Sequence, residues 1–379
     1  MAPELAVQQL QRLPLGSRVL DPMSGSGTVL RQAQELGLFA IGVDLDPLAV
    51  LISQVWTQPV SDAEIETFGA TVKHQALTLD SRRLELPWLD SDSETAKFVE
   101  YWFAPQQISD LRRLARVLYD GAINGSPQHA MNVLRVALSR IIITKEQGAS
   151  LARDTSHSRP HKVAVNSNYS VFDGFTRSLR DLRKRLAGGT KRCCVDVSLG
   201  DARALNLANA SVDAVLTSPP YLNAIDYMRG HRLALVWLGY RLCDLRPIRS
   251  SSIGAERGPD REIIGLDRVR SEMGAIGSLP ARHQRMIDRY IGDLRSMVSE
   301  TARVLRPAGR ATFVVGNSCI KGVFVDNAQA LVKLSEAVGM RLIERYEREL
   351  PPANRYLPLT ENGALGKRMR TETILTFAN

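Results

Sequence analysis

The sequence feature that most constrains the fold is a short apolar strand that runs into a glycine turn and then into a helix. The strand covers residues 17–20, the turn reads Asp21-Pro22-Met23-Ser24-Gly25-Ser26-Gly27, and residues 28–36 have helical spacing. Gly25 and Gly27 allow a tight turn and let the backbone approach a ligand closely. The helix that follows presents unpaired N–H groups in its first turn. This order predicts a βαβ unit with a nucleotide-like ligand at the turn.

Six more strand signals follow along the chain, and two long stretches interrupt them. The strand signals are residues 39–45, 193–199, 212–216, 310–315, 341–348 and 371–377. Strands that alternate with helices favour a parallel, doubly wound sheet. We therefore predict an α/β, Rossmann-like fold with a seven-stranded, mostly parallel sheet and two largely helical insertions. The core of the sheet is predicted from residues 1–55, 191–221 and 291–379.

The two insertions, residues 56–190 and 222–290, are long enough to indicate a function of their own. Positive charge is concentrated in and just after the first of them. The chain has a formal net charge of +9, and residues 131–192 contain 13 Lys and Arg against 4 Asp and Glu, an excess as large as that of the whole chain. Such a segment favours a polyanionic partner. We predict that the first insertion binds nucleic acid and that the second recognises the target.

Cysteine, histidine and apolar residues exclude several other classes of protein. Four cysteines without CxxC spacing indicate no disulfide framework, and six scattered histidines indicate no metal site. We find neither a leader with a charged and then an apolar segment nor an apolar run near the ~18 residues that cross a bilayer. We expect a cytoplasmic protein in a reducing compartment, without metal and without contact to a membrane.

Aspartates stand at the ends of three successive strands. Asp21 suits the positively charged amino-acid part of S-adenosylmethionine (SAM), Asp44 suits ribose hydroxyls, and Asp201 suits the adenine amino group. Each alone is more often a cap or a turn former. A dinucleotide site is disfavoured because Leu30 replaces the third glycine of Gly-x-Gly-x-x-Gly. We predict SAM as the cofactor, bound by Asp21, Pro22, Met23, Gly25, Gly27, Thr28, Asp44 and Asp201.

The fourth strand signal ends in Ser218-Pro219-Pro220-Tyr221. The two prolines restrict the backbone to extended conformations and provide no N–H donors. The loop therefore predicts a stiff array of the Ser218 hydroxyl, the Pro219 carbonyl and the Tyr221 ring. Two such acceptors can hold both hydrogens of an exocyclic amino group, while the ring stacks on a base taken out of its helix. By itself, the tetrapeptide is more often a plain loop. Its place after the glycine turn predicted to bind SAM (the SAM turn, residues 21–28) predicts a catalytic site.

These motifs resemble those of the amino-methylating DNA methyltransferases, which make N4-methylcytosine or N6-methyladenine. The resemblance covers the SAM turn, Asp44, Asp201, residues 217–221 and the turn Arg306-Pro307-Ala308-Gly309, but not the insertions. In that family, Ser-Pro-Pro-Tyr is typical of cytosine-N4 enzymes and Asp-Pro-Pro-Tyr of adenine-N6 enzymes. Met23 departs from the usual Phe. The SAM turn precedes the tetrapeptide here, whereas many cytosine-N4 members have the reverse order.

The resemblance implies methyl transfer from SAM to cytosine N4 in DNA, with Ser218, Pro219, Pro220 and Tyr221 as catalytic residues. It also implies double-stranded DNA with a flipped base as the partner, and leaves open a cognate restriction nuclease. Further substrate contacts are predicted in the insertions, at Asn223, Asp226, His157, Arg159, His161 and Lys162. For Asp226, a helix cap is an equal alternative, and for residues 156–162 a solvated basic loop is an equal alternative.

Three other functions remain open. The same chemistry fits adenine N6 in DNA or an amino group in RNA. A protein that binds SAM without catalysis would carry the same turn. The absence of a hydride-side acid–base pair, together with Leu30, disfavours a nicotinamide dehydrogenase.

Overall fold

Helices and strands alternate in the first part of the chain, and runs of consecutive helices, over residues 47–142 and 227–304, separate groups of strands further along. In chain order the elements are α1 (Pro3–Leu10), β1 (Arg18–Asp21), α2 (Thr28–Glu35), β2 (Phe39–Asp44), α3 (Pro47–Thr57), α4 (Asp62–Thr78), α5 (Pro87–Asp90), α6 (Ser93–Trp102), α7 (Pro105–Ile123), α8 (Gln128–Ile142), β3 (Ala152–Arg153), β4 (His161–Lys162), α9 (Val171–Leu186), β5 (Val195–Leu199), β6 (Val212–Thr217), α10 (Tyr227–Leu235), α11 (Leu242–Ser251), α12 (Asp267–Glu272), α13 (Ala281–Val304), β7 (Leu305–Val315), β8 (Ser318–Ile320), β9 (Val323–Val325), α14 (Asn327–Ala337), β10 (Arg341–Glu349) and β11 (Thr371–Ala378). This computed structural model describes residues 1–123, 127–144, 146–153, 160–188, 193–222, 226–255, 266–349 and 371–379.

Seven of the strands form one sheet, in the order β10-β11-β7-β6-β1-β2-β5. The pairs β1–β2, β1–β6, β2–β5 and β6–β7 are parallel, and β11 is antiparallel to both of its neighbours. This confirms the predicted Rossmann-like, mostly parallel sheet. The connections run outward in opposite directions from β1 and β6. The carboxyl ends of these two strands therefore form the switch point at which α/β sheets bind ligands.

The central strands are apolar because helices cover both faces of a parallel sheet. In β6, Asp213 is the one residue that is not buried. Its carboxylate accepts a hydrogen bond from the backbone N–H of Arg18 at 2.7 Å. The long helix α13 buries residues spaced three or four apart, from Met286 to Val304, in the same core cluster as the strands.

The strand β7 is longer than the predicted strand, residues 310–315. It starts at Leu305, and its pairing with β6 shifts between Val212 and Ala214, so that residues 306–309 project as a bulge. Ala308 there has a φ of 61°. The backbone N–H of Ala308 donates to the carbonyl of Asn379 at 3.2 Å, and the Asn379 N–H donates to the Gly309 carbonyl at 3.1 Å. These bonds to the residue that follows β11 explain why the strand extends through a turn sequence.

The chain divides into two compact units, at boundaries that lie within four residues of the predicted ones except in one place. Unit 1 comprises Met1–Ser53, Arg192–Ile225 and Ser250–Asn379, and unit 2 comprises Gln54–Lys191 and Asp226–Arg249. The predicted second insertion, residues 222–290, is thus split between them. Its later part lies in unit 1 because Val269, Met273 and Ile276 are buried in the core cluster of the sheet.

Unit 2 is mainly helical. Helix α9 buries one face, from Val171 to Leu182, and exposes cations on the other. Arg183 of this helix pairs with Asp62 at 2.7 Å and with Glu66 at 3.0 Å, both on α4. Within the residues described, no helix is both long enough and apolar enough to span a membrane.

Candidate active site

The two loops that the sequence singles out lie side by side. Strands β1 and β6 are paired, with Val19 opposite Ala214 and Leu20 opposite Val215. Just beyond these paired residues, the Thr217 hydroxyl donates a hydrogen bond of 2.7 Å to Oδ1 of Asp21. Both side chains are buried. A buried hydrogen bond therefore joins the first residue of the glycine turn to the residue that directly precedes the Ser-Pro-Pro-Tyr loop.

The glycine turn takes the conformation that only glycine adopts readily. Gly25 has a φ of 52° and Gly27 a φ of 81°. The Gly25 N–H donates to Oδ2 of Asp44 at 2.8 Å, and its carbonyl accepts from the Ser53 hydroxyl at 2.8 Å. A Cβ on Gly27 would lie 2.9 Å from the Ser53 Oγ and 3.1 Å from its Cα. The turn is thus fixed from both sides, by β2 and by α3.

We expect Gly27→Ala to destabilise the ligand-free protein more than Gly25→Ala. Both residues have positive φ, but a Cβ on Gly25 meets nothing within 4 Å. Each substitution adds left-handed strain of about 1 kcal/mol, and Gly27→Ala also displaces Ser53, for a total of roughly 2–3 kcal/mol. Urea unfolding of the two variants measures this difference. Equal losses would show that contact with Ser53 does not constrain the turn.

Asp21 is a buried carboxyl group whose pKa lies well above its ordinary value. Burial raises the pKa of Asp21 to about 7, although hydrogen bonds from Thr217 and from the Met23 N–H favour the charged form. Both of these bonds end on Oδ1. No described residue donates to Oδ2, so this oxygen is the one that can receive a cationic ligand.

The other two predicted cofactor aspartates have partners in the protein. Asp44 accepts from the N–H of Gly25 on one oxygen and from the N–H of Asp46, at 2.9 Å, on the other. Burial alone would raise the pKa of Asp201, but the hydrogen bonds from Arg203 outweigh it and hold that pKa below its ordinary value. Arg203 also reaches Asp293 at 2.6 Å. The predicted contact of Asp201 with adenine stays a prediction and has Arg203 as a competitor.

The remaining predicted residues of the glycine turn are packed into the fold. Met23 packs against the main core cluster, Pro22 is buried, and Thr28 is the first residue of α2. The Ser24 Oγ is buried, and no described residue forms a hydrogen bond with it. A buried hydroxyl without a partner is costly. This atom is therefore a candidate contact for a bound polar ligand.

Two residues of the Ser-Pro-Pro-Tyr loop form hydrogen bonds with neighbouring elements. The Ser218 hydroxyl donates to the carbonyl of Val314 on β7 at 3.0 Å. The carbonyl of Pro220 accepts from the hydroxyl of Tyr290 on α13 at 3.1 Å. Because its proton points to Val314, the Ser218 oxygen can act towards a ligand only as an acceptor. Among the described residues, none donates to the Pro219 carbonyl.

Three of the six residues predicted in the insertions lie within the described part of the structure. Asn223, His157 and Arg159 lie outside the described residues. His161 and Lys162 form β4, and the Lys162 Nζ lies 4.7 Å from the centre of the Tyr101 ring. Of the two roles predicted for Asp226, the structure shows the helix cap. Its carboxylate accepts from the N–H of Arg229 at 3.2 Å and from Arg249 at 2.7 Å.

The sequence did not predict the residues that form hydrogen bonds with the two loops and with Asp201. Tyr290, Ser318 and Arg203 carry no motif. Tyr290 and Ser318 act through hydrogen bonds to residues far along the chain, and Arg203 reaches Asp293, 90 residues away, as well as Asp201. For Arg203 alone, its place two residues after a strand-end aspartate is a usable signal. Within the described ranges, no three His, Cys, Asp or Glu side chains come together as metal ligands would.

Comparisons with known proteins agree with this geometry. No protein-family model matches the chain. A Type II methyltransferase, M.MvaI, from Kocuria varians is 20% identical over 410 residues, covering 100% of this chain and 89% of that protein. The Type II methyltransferases M.BsoBI from Geobacillus stearothermophilus and M.AvaI from a Nostoc species are 21% and 22% identical. They cover 88% and 86% of this chain, and 75% and 73% of their own length.

Solved structures give weaker similarities. A putative DNA modification methylase from Thermus thermophilus, complexed with SAM, is 16% identical with a TM-score of 0.26, covering 48% of this chain and 53% of that one. A geranyl diphosphate methyltransferase in complex with SAM has a TM-score of 0.37 at 8% identity, covering 99% and 83%. The chain is thus similar to Type II methyltransferases along most of its own length and of theirs, and the sheet order and the adjacent motifs agree with that similarity.

Proposed function

We propose that this protein transfers the methyl group of SAM to the exocyclic N4 amino group of cytosine in DNA. The observation that carries the proposal is the hydrogen bond between Thr217 and Asp21. It fixes the two loops at the switch point of the sheet, so that a cofactor on one loop and a base on the other are within reach of each other.

The residues of the glycine turn fit SAM. The positive-φ glycines keep side chains out of the turn, and Oδ2 of Asp21 is available to the ammonium group of the methionine part. Asp44 is proposed to accept from the ribose hydroxyls, because the Gly25 and Asp46 N–H groups orient both of its oxygens. The Ser24 hydroxyl, buried and without a described partner, is proposed as a further polar contact.

Ser218 and the Pro219 carbonyl are proposed to hold the two hydrogens of the amino group. Ser218 is an acceptor because its own proton is given to Val314. The Pro220 carbonyl is excluded from this task, since it accepts from Tyr290. Two acceptors on the amino hydrogens aim the nitrogen lone pair at the methyl group. Tyr221, half-buried against the core cluster, is proposed to stack on the flipped base.

Bound SAM supplies a methyl group on a positively charged sulfur. The amino nitrogen forms the new bond to carbon while the carbon–sulfur bond breaks and its electron pair passes to sulfur. The nitrogen, then positively charged, releases one proton to solvent. The protein's part is alignment and charge stabilisation, which can lower a barrier by roughly 7–11 kcal/mol in favourable cases. No covalent intermediate with the protein is needed.

The target base and the nucleic acid are the finer parts of the proposal. Ser218 in the first position of the tetrapeptide favours cytosine N4 over adenine N6, by resemblance to the cytosine-N4 enzymes. We propose double-stranded DNA as the substrate, with the basic first insertion as its binding surface and α10–α11 as part of target recognition. A cognate restriction nuclease is the proposed second partner.

Incubation of the protein with tritiated SAM and genomic DNA, followed by digestion to nucleosides, tests the proposal. We expect label in N4-methylcytosine. Label in N6-methyladenine alone would retain the enzyme and change the base. Label in RNA alone, or none in either nucleic acid, would refute the proposed function. A matched reaction with Ser218→Ala controls for contaminating methyltransferases.

A further inference from the structure

The residues before and after Tyr221, Pro220 and Leu222, each accept a hydrogen bond on the backbone carbonyl from a side chain of unit 1. Tyr290 Oη donates to the Pro220 carbonyl at 3.1 Å. Ser318 Oγ donates to the Leu222 carbonyl at 2.9 Å. Tyr290 lies on α13, and Ser318 begins β8. The tyrosine of the catalytic loop thus stands between two fixed points that come from different parts of the fold.

Tyr290 is a donor at every ordinary pH. Its side chain is almost fully buried, 1% exposed, in the core cluster under the sheet. Burial raises the pKa of its hydroxyl well above the usual range, and the charges of Tyr221 and Asp293 act in the same direction. The proton therefore stays on the oxygen, and the Pro220 carbonyl is the partner that satisfies this buried group.

Ser318 is oriented by a second buried side chain. The Asn327 amide donates both to the Ser318 oxygen and to the Gly316 carbonyl, at 2.9 Å each. Asn327 is fully buried at the start of α14. Since Asn327 takes an acceptor position on Ser318, the hydroxyl proton is directed to the Leu222 carbonyl. Asn327 thus donates to Ser318, and Ser318 donates to the loop.

These bonds restrict what the prolines leave free. Pro219 and Pro220 have fixed φ values, but the peptide planes that follow them can still rotate. A hydrogen bond to the Pro220 carbonyl restrains the peptide plane before Tyr221, and one to the Leu222 carbonyl restrains the residue after it. The backbone of Tyr221 is thus restrained on both sides, which limits the direction of the ring.

We propose that Tyr290 and Ser318, the latter held by Asn327, are positioning residues that set the Tyr221 ring and the Pro219 carbonyl for methyl transfer. This inference rests on the proposed function. Neither side chain touches the reacting atoms. Both act through backbone carbonyls, and a displacement of about 1 Å in such a loop can cost on the order of 100-fold in rate.

Tyr290→Phe and Ser318→Ala in the full-length protein test the inference, because each removes one hydroxyl and little volume. We expect kcat for methyl transfer to fall by roughly 10–100-fold in each. The Kd for SAM should stay within about twofold, since the glycine turn is untouched. Hydrogen exchange, followed by mass spectrometry, should be faster at the Tyr221 and Leu222 amides. If the two hydroxyls contributed only to stability, exchange at the Tyr221 and Leu222 amides would not rise selectively. In that case kcat would also not fall while the Kd for SAM stayed the same.

Thr301→Val is the matched control. It removes another fully buried hydroxyl from α13, one without a described hydrogen-bond partner. This variant should keep kcat and amide exchange at wild-type values. The inference is overturned by a wild-type kcat in Tyr290→Phe or in Ser318→Ala, by unchanged amide exchange, or by an equal effect of Thr301→Val. If wild type transfers no methyl group, the proposed function fails, and amide exchange alone decides the positioning role.

Discussion

Ser218→Ala should lower kcat for methyl transfer by about 10²–10³-fold while the Kd for SAM stays within about twofold. The reason is geometric. The Ser218 oxygen is fixed as an acceptor by its bond to Val314, and alanine leaves one amino hydrogen of the target base unheld. SAM is proposed to bind at the other loop, through residues that this substitution leaves in place. Single-turnover rates and equilibrium binding of SAM measure the two effects separately.

Ser211→Ala provides the comparison for this experiment. Ser211 directly precedes β6, as Ser218 directly follows it, and its hydroxyl is buried without a described partner. We expect this variant to have wild-type kcat. A Ser218→Ala enzyme with a kcat close to that of wild type would contradict the acceptor role and would favour a SAM-binding protein without catalysis.

The affinity for SAM should depend on pH through Asp21, whose pKa is raised to about 7 by burial. The ammonium group of SAM favours the ionised carboxylate. Binding should therefore strengthen as pH rises to about 8, and below pH 7 the Kd should increase by up to about tenfold per pH unit. Titrations of SAM between about pH 5.5 and about pH 8.5 measure this slope. In Asp21→Asn, binding should be weaker at about pH 8 and nearly independent of pH.

The stability of the ligand-free protein should show the opposite trend. The pKa of Asp21 in the folded protein lies above its ordinary value of 3.8, so the folded state holds more protons than the unfolded state between these values. The free energy of unfolding should then fall as pH rises from about 4 to 7, by at most about 1.4 kcal/mol per pH unit from this group. Comparison with Asp21→Asn isolates this contribution. Equal slopes in both proteins would show that Asp21 is ionised throughout.

Local patterns were sufficient to predict the sheet and the positions of both motifs. The seven strand signals correspond to β1, β2, β5, β6, β7, β10 and β11, because period and composition report burial between helices. Asp21 and the tetrapeptide were placed at one edge because parallel strands end on the same side. The left-handed glycines of the turn were expected for the same local reason.

The support behind the site was beyond the reach of such patterns. Tyr290 lies 70 residues from Pro220, and Ser318 lies 96 residues from Leu222. Nothing in the residues near either one indicates which carbonyl it meets. The raised pKa of Asp21 likewise comes from burial in the assembled sheet rather than from its neighbours in the sequence. The division of residues 222–290 between the units was missed because α12 and α13 have ordinary amphipathic patterns.

The bond from Ser218 to Val314 has a consequence for damaged templates. A hydroxyl oxygen that already donates its proton can only accept a hydrogen bond from a ligand. It attracts an N–H group and repels a second hydrogen-bond acceptor. When cytosine loses its amino group, a keto oxygen replaces it at the same ring position. The keto oxygen of such a uracil would face two hydrogen-bond acceptors, the Ser218 oxygen and the Pro219 carbonyl. Electrostatic repulsion, without any steric clash, would then disfavour its binding.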